Sequence, residues 1–389
     1  MIITRAQINH MYVLLFSLYF LFYIFSKYSF FSEALRSSFE IMKYAIAFIF
    51  MLKVFNYRTI LNFIQKYKLL SISLLLLIIY SLFNLIIFSS ITPSNIFLAF
   101  LLPMVILSAM VISEKINDIF IYKKLLSIFL VIFTMVIVFS ILFPEHLTYT
   151  HYGTNRVRYV FGFVKPSYFA ETLVLLVYMT IFLYMYTKEI KDQKKYKIIL
   201  FIMFSLMILS DSRSALLSMI VFFLTYKFFN IRYSLVKLFL IVLLFIGILY
   251  SILDFNYKDI MDWGSGRFIW WDMAISNNIH TLTEELFGTG YGNAITNQIM
   301  LKYTGNTGSS FHVDSFFVET FIQQGYIGLI LTFLVLFLMS GVQRNKLSMP
   351  ILNSMVVYGL FESVIFHFAT LFSLLTWIIF FYKDNHYEN

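Results

Sequence analysis

The chain has 389 residues, 60% of them hydrophobic and 13% charged, with no cysteine and a formal net charge of +9. A surface that apolar excludes a water-soluble domain, and the lack of cysteine excludes disulfides, thiolate metal sites and cysteine nucleophiles together. No nucleic-acid partner is expected from the positive charge, because the lysines and arginines sit mostly in short loops between apolar runs, as membrane topology alone requires.

Runs of about 20 apolar residues recur along the chain, each long enough to cross a hydrocarbon core of roughly 30 Å as a helix. Helices satisfy their own backbone in lipid, so the predicted fold is an all-α polytopic membrane protein, a single domain over 1–389. The first run follows a short polar start, Met1 to Asn9, without an Ala-x-Ala-like cleavage site, and reads as a retained anchor. In chain order, spans are predicted at Ile8–Ser26, Phe39–Phe55, Leu69–Phe88, Asn95–Ser113, Leu125–Phe143, Tyr168–Thr187, Lys197–Leu209, Ala215–Phe229, Leu235–Leu253, Phe317–Ser340, Pro350–Ser363 and Phe368–Tyr382. That makes about twelve.

Basic residues crowd alternate loops, among them Arg58 and Lys66, Lys123 and Lys124, Lys191 to Lys197, Lys227 and Arg232, and Arg344 and Lys346. The positive-inside rule therefore predicts that both termini are cytoplasmic, with segments 144–167, 210–214 and 254–316 facing outward. The last of these, Asp254 to Phe316, is the only long hydrophilic run, and it carries Trp263, Trp270, Trp271, a glycine cluster and a histidine. A large ordered outer loop with short helices is expected there.

Basic residues on the disfavoured side need another reason, and they cluster: Arg156, Arg158 and Lys165; Arg213; Lys258, Arg267 and Lys302. A guanidinium fork binds two phosphate oxygens at once and stays charged at any accessible pH, so Arg158, Lys165, Arg213 and Arg267 are candidates to hold a lipid-linked diphosphate. Interfacial snorkelling or pairing with an acidic neighbour is the plainer reading of each. Arg213 lies in Ser210-Asp211-Ser212-Arg213-Ser214, where Asp211 either neutralises it or steadies it toward a ligand. Arg267 follows Gly264-Ser265-Gly266, and Phe268, Trp271 and Ile275 recur at helical spacing behind it. This predicts a short amphipathic helix with Ser265 as a possible N-cap and Arg267 at its start, where free backbone N–H groups add to anion attraction. Trp263, Trp270 and Trp271 either contact sugar faces or anchor that helix at the interface. Gly288, Gly290 and Gly292 predict a tight turn, without the spacing of a dinucleotide loop. Glu171 and Glu362 fall in or near spans, where carboxylates are costly and often functional. No His/Asp/Glu group has metal-ligand spacing, and no metal or cofactor is expected.

The loop ends in Phe311-His312-Val313-Asp314-Ser315-Phe316-Phe317-Val318-Glu319, running into Gln323-Gln324-Gly325-Tyr326-Ile327-Gly328. Here the chain resembles the O-antigen polymerase and O-antigen ligase family, whose large periplasmic loop ends in a histidine or aspartate before a Gly-x-x-Gly helix entry. The stretch Arg158 to Gly162 with Lys165-Pro166-Ser167, the Ser210 to Ser214 turn, Gly264 to Arg267, Trp271 and the Gly288 to Gly292 cluster follow the family's order. One departure is that Asp314 and Ser315 stand where many members, ligases especially, carry a histidine and an asparagine, which favours polymerase over ligase. The resemblance implies a glycosyltransferase of GT-C-like architecture in the bacterial inner membrane. It implies metal-independent transfer from an undecaprenyl-diphosphate-linked oligosaccharide to a sugar hydroxyl, with a chain-length regulator and a flippase as possible partners. His312 and Asp314 are the candidates to activate that hydroxyl, and Asp314 is also placed to be the N-cap of the next helix. A ligase passing polymer to lipid A core would share these features, and a polysaccharide flippase is the rival of another class. Against the flippase stands the absence of recognisable repeated halves.

Overall fold

The structure, a computed structural model, describes residues 5–52, 57–150, 157–228, 267–291, 313–342, 344–367 and 370–384. Their helices are α1 (Arg5–Ser26), α2 (Glu33–Met51), α3 (Tyr57–Lys66), α4 (Lys68–Phe88), α5 (Pro93–Lys115), α6 (Ile119–Leu142), α7 (Pro166–Tyr186), α8 (Ile190–Leu209) and α9 (Arg213–Phe228). They continue with α10 (Arg267–Asn278), α11 (Leu282–Phe287), α12 (Phe316–Met339), α13 (Ser348–Phe361) and α14 (Leu371–Phe380). One hairpin of β1 (Thr148–Thr150) and β2 (Val157–Tyr159) pairs Tyr149 opposite Arg158. The chain is an all-α polytopic membrane protein. Six helices, α1, α4, α5, α6, α7 and α12, are long and apolar enough to cross a membrane, and their outer faces carry exposed apolar side chains such as Leu75, Ile86, Met135 and Ile330. Of the twelve predicted spans, eleven coincide with helices and Leu235–Leu253 lies outside the described residues. Helix α3 was not foreseen; it is short, and its polar residues Arg58, Gln65 and Lys66 interrupt the apolar ones.

Helices α13 and α14 are the exceptions in length. At 14 and 10 residues they rise only roughly 21 and 15 Å, short of a full crossing. Every residue of α14 is buried, and α13 is buried from Ser348 to Met355. They are shielded by α9, α7 and α5, which explains how the non-helical connection between them is tolerated: irregular backbone at membrane depth survives only inside protein or along a polar cavity. That connection holds a single 3-10 turn, Ser363–Phe366, whose Ile365 carbonyl accepts from Ser373 Oγ at 2.8 Å and Trp377 Nε1 at 2.7 Å.

The two ends of the bundle differ in chemistry. At one end Lys123 pairs with Asp192 at 2.9 Å, Arg344 with Glu114 at 3.6 Å, and the Asn345 amide donates to the carbonyls of Ile379, Phe380 and Tyr382. The opposite end carries the hairpin, the starts of α7, α9 and α12 and the end of α13, and it is where the candidate site lies.

At that end α12 is broken. Gly325 has φ +65 and ψ −167 inside the helix, and the turn after α11 fits into the break: Thr289 N donates to Ile322 O at 2.9 Å and Gly290 N to Gln323 O at 3.1 Å. Asn84 Nδ2 on α4 donates to Phe287 O at 2.6 Å and pins the same turn from the other side. The glycines of the turn thus serve helix packing. Adding a Cβ at Gly325 would place it 2.4 Å from the Leu286 carbonyl, in a left-handed conformation. Gly325→Ala is therefore expected to destabilise the protein by about 3 kcal/mol, read as a lowered thermal unfolding midpoint in detergent; an unchanged midpoint would refute this account of the break.

Candidate active site

Four separate stretches of chain meet at this end. Arg267 begins α10, as predicted; Ser214 stands in the first turn of α9; Asp314 precedes α12; and Glu362 ends α13, its backbone N–H donating to Tyr358 O at 2.9 Å. Arg267 Nη2 donates to Glu362 Oε1 at 2.8 Å, and Ser214 Oγ donates to the same oxygen at 3.2 Å. The Glu362 side chain is 7% exposed and that of Arg267 25% exposed, so the pair forms a partly open floor rather than a surface contact. Burial works against the Arg267 charge, but Glu362 and Asp314 outweigh it and hold the guanidinium charged more firmly than usual. A carboxylate buried beside one arginine is stable only while that arginine stays.

Arg158 and Asp211 face each other at 3.9 Å, tying the hairpin to the turn before α9. Asp211, expected to serve Arg213, stands against Arg158, with a left-handed φ of +50. Arg213 is half-buried at the start of α9, and Lys165 is exposed just before α7. Trp271 is half-buried: it packs with Ala274, Val313 and Ile322 and lies 6.2 Å from the Phe361 ring. It therefore anchors α10 onto α12 and α13 rather than onto lipid. The cap of α12 is a correction: Ser315, not Asp314, accepts from Val318 N, at 3.3 Å, and Asp314 is left exposed. The reason is geometric. A capping side chain reaches back from the residue immediately before the first helical one, and α12 starts at Phe316.

His312, Trp263, Ser265, Gly292 and the side chain of Trp270 lie outside the described residues. Glu171 is buried on α7, with Lys27 and Lys43 on one side, where Glu40 pairs with Lys43 at 2.6 Å and Lys27 at 3.1 Å, and with Glu362 of the site also among its charged neighbours. Among the described residues no group of His, Asp and Glu could hold a metal ion. Glu362 is marked by the sequence as a costly carboxylate, but nothing in the sequence links it to Arg267, 95 residues earlier.

Residues 198–333 match the family model described as O-antigen ligase. The site and the fold together describe a membrane protein that gathers cationic and acidic groups at one end of a helix bundle. Over that stretch the chain is similar to the O-antigen polymerase and ligase family. The match takes in Arg213, Arg267, Asp314 and the Gly325 break, and it stops short of Glu362. No curated protein matches the chain.

Proposed function

We propose that the protein is a polysaccharide polymerase, for O-antigen or capsule, that joins repeat units carried on undecaprenyl diphosphate at the periplasmic face of the bacterial inner membrane. The observation that carries this reading is the meeting of Arg267, Ser214, Glu362 and Asp314 at the end of the bundle away from the basic loops. The positive-inside rule makes that end the outer one and both termini cytoplasmic.

In this reaction an acceptor sugar hydroxyl forms a bond to the donor's anomeric carbon while the bond from that carbon to the diphosphate oxygen breaks. The diphosphate leaves with the bonding electrons, and the hydroxyl proton passes to His312 or Asp314. Arg213 and Arg267, with Arg158 and Lys165 as further candidates, hold the diphosphate and stabilise its growing charge, so the step runs without a metal in this account. Glu362 takes one edge of the Arg267 fork and leaves the other to turn toward phosphate, which makes it a positioning residue. Trp263 and Trp270 are candidates for sugar contact, and Trp271 supports the helix that presents Arg267. A chain-length regulator and a flippase are the expected partners.

The description of the matching family favours the second reading, a ligase that passes finished polymer to lipid A core; Asp314 and Ser315 favour the polymerase. The glycan ladder of a deletion strain, complemented with wild type or His312→Ala, separates them. Core carrying a single repeat unit is expected. Bare core with long lipid-linked polymer accumulating would mean ligase, and repeat units trapped on the cytoplasmic side would mean a flippase and remove the enzyme reading.

A further inference from the structure

Beside the site, and not used by it above, a cavity lies among α4, α5, α12 and the connection after α13. Its enclosed volume is about 70 Å³ and it opens at its mouth, so it has room for an edge of a ligand and not for a whole drug-sized one. Its rim is continuous with the site, because Ser363 follows Glu362 in the chain and Phe316 stands two residues after Asp314. The polar lining includes Ser81, Tyr291, Glu319, Gln323, Gln324 and His367, set among leucines and the rings of Phe316 and Phe366. Among the described residues no lysine or arginine lines it.

That lining selects a ligand class. A diphosphate would meet the Glu319 carboxylate with no described lysine or arginine to offset it, and a polyprenyl chain would strand hydroxyls, amides and a carboxylate against hydrocarbon. A neutral polyhydroxylated molecule suits both the polar groups and the rings. The amide oxygen Oε1 of Gln324 is buried and has no hydrogen-bond partner among the described residues, and buried acceptors are seldom left so. Glu319 has one oxygen, Oε1, engaged by Gln323 Nε2 at 3.2 Å. The second Glu319 oxygen can accept from a hydroxyl.

We propose that this cavity is a carbohydrate subsite, taking an edge of a sugar ring of the acceptor glycan and holding it next to the Arg267–Glu362 floor. The proposal rests on the glycosyl-transfer reading for the word acceptor, but not for the ligand class. It also gives the break in α12 a use, since the Gly325 kink and the pinned turn hold Gln323, Gln324 and Tyr291 around one space.

The test uses the absence of native cysteine. Leu98→Cys places a single thiol on the cavity wall and Ile96→Cys one on the exposed face of the same helix. Each full-length variant, purified in nanodiscs, is reacted with methyl methanethiosulfonate. The competitors are the lipid-linked repeat unit extracted from the deletion strain and sugar-free undecaprenyl diphosphate. With the repeat unit near nine times its Kd, labelling at Leu98→Cys is expected to slow by about tenfold, with no such effect at Ile96→Cys or from undecaprenyl diphosphate. Adding Glu319→Gln to Leu98→Cys is expected to raise the repeat-unit concentration needed for that protection. Equal protection by both lipids would assign the cavity to the carrier, and absence of protection would assign it to water; either overturns the proposal. Protection in a protein whose wild type transfers no sugar would keep the subsite and remove the polymerase reading, whereas transfer without protection would do the reverse.

Discussion

Arg267→Ala is expected to lower the rate of polymer formation by about 10²–10³-fold, the usual cost of removing one preorganised donor from a developing charge. The measurement is incorporation of labelled repeat units into polymer by membrane vesicles, with protein amount matched by immunoblot. Arg267→Lys should recover only part of the loss, because an ammonium is a point charge and cannot engage Glu362 and a phosphate oxygen with a planar fork. A truncation at this position also leaves Glu362 buried without its partner, so a loss of activity alone could reflect unfolding. The double variant Arg267→Ala with Glu362→Gln removes that ambiguity: it should regain abundance and thermal stability while staying inactive. A rate within about twofold of wild type for Arg267→Ala would place the diphosphate elsewhere.

Glu362→Ala is expected to cost roughly 3 kcal/mol of stability, at the low end for breaking a buried pair because Arg267 keeps some solvent contact. Ser214 Oγ loses its acceptor in the same change. Glu362→Gln keeps an oxygen for both donors and should be milder in stability, yet its activity should still fall by about tenfold, because a neutral amide orients the guanidinium less firmly. Vesicle rates for Arg267→Lys, Glu362→Gln and the Arg267→Lys/Glu362→Gln double variant form a cycle. A coupling near zero between Arg267 and Glu362 would show that the two act independently and would remove Glu362 as a positioning residue.

The membrane helices were legible because length and apolarity are properties of a contiguous stretch. So was the start of α10, since Gly264-Ser265-Gly266 before an amphipathic run marks a helix start locally. Asp314 and Ser315 compete for the same capping role with equivalent side chains, and only the first helical turn itself chose Ser315. The glycines at 288 and 290 read as a turn, and a turn they are. That the turn fills a break at Gly325 was not legible, because the hydrogen bonds joining them run between residues more than thirty apart.

By itself, the sequence determined that this chain lives in a membrane as a bundle of helices, that one long polar loop interrupts it, and that cationic residues stand where topology disfavours them. These follow from transfer free energies summed over neighbouring residues, which need no knowledge of the fold. Only the tertiary structure decided which charges meet: that Arg267 faces Glu362 and Ser214, that Arg158 faces Asp211, and that the short helices α13 and α14 bury an irregular connection beside a polar cavity. Pairing of charges depends on distance in space, and in a helical bundle the chain returns to the same end every second span, so partners there are set by packing and not by spacing in the chain.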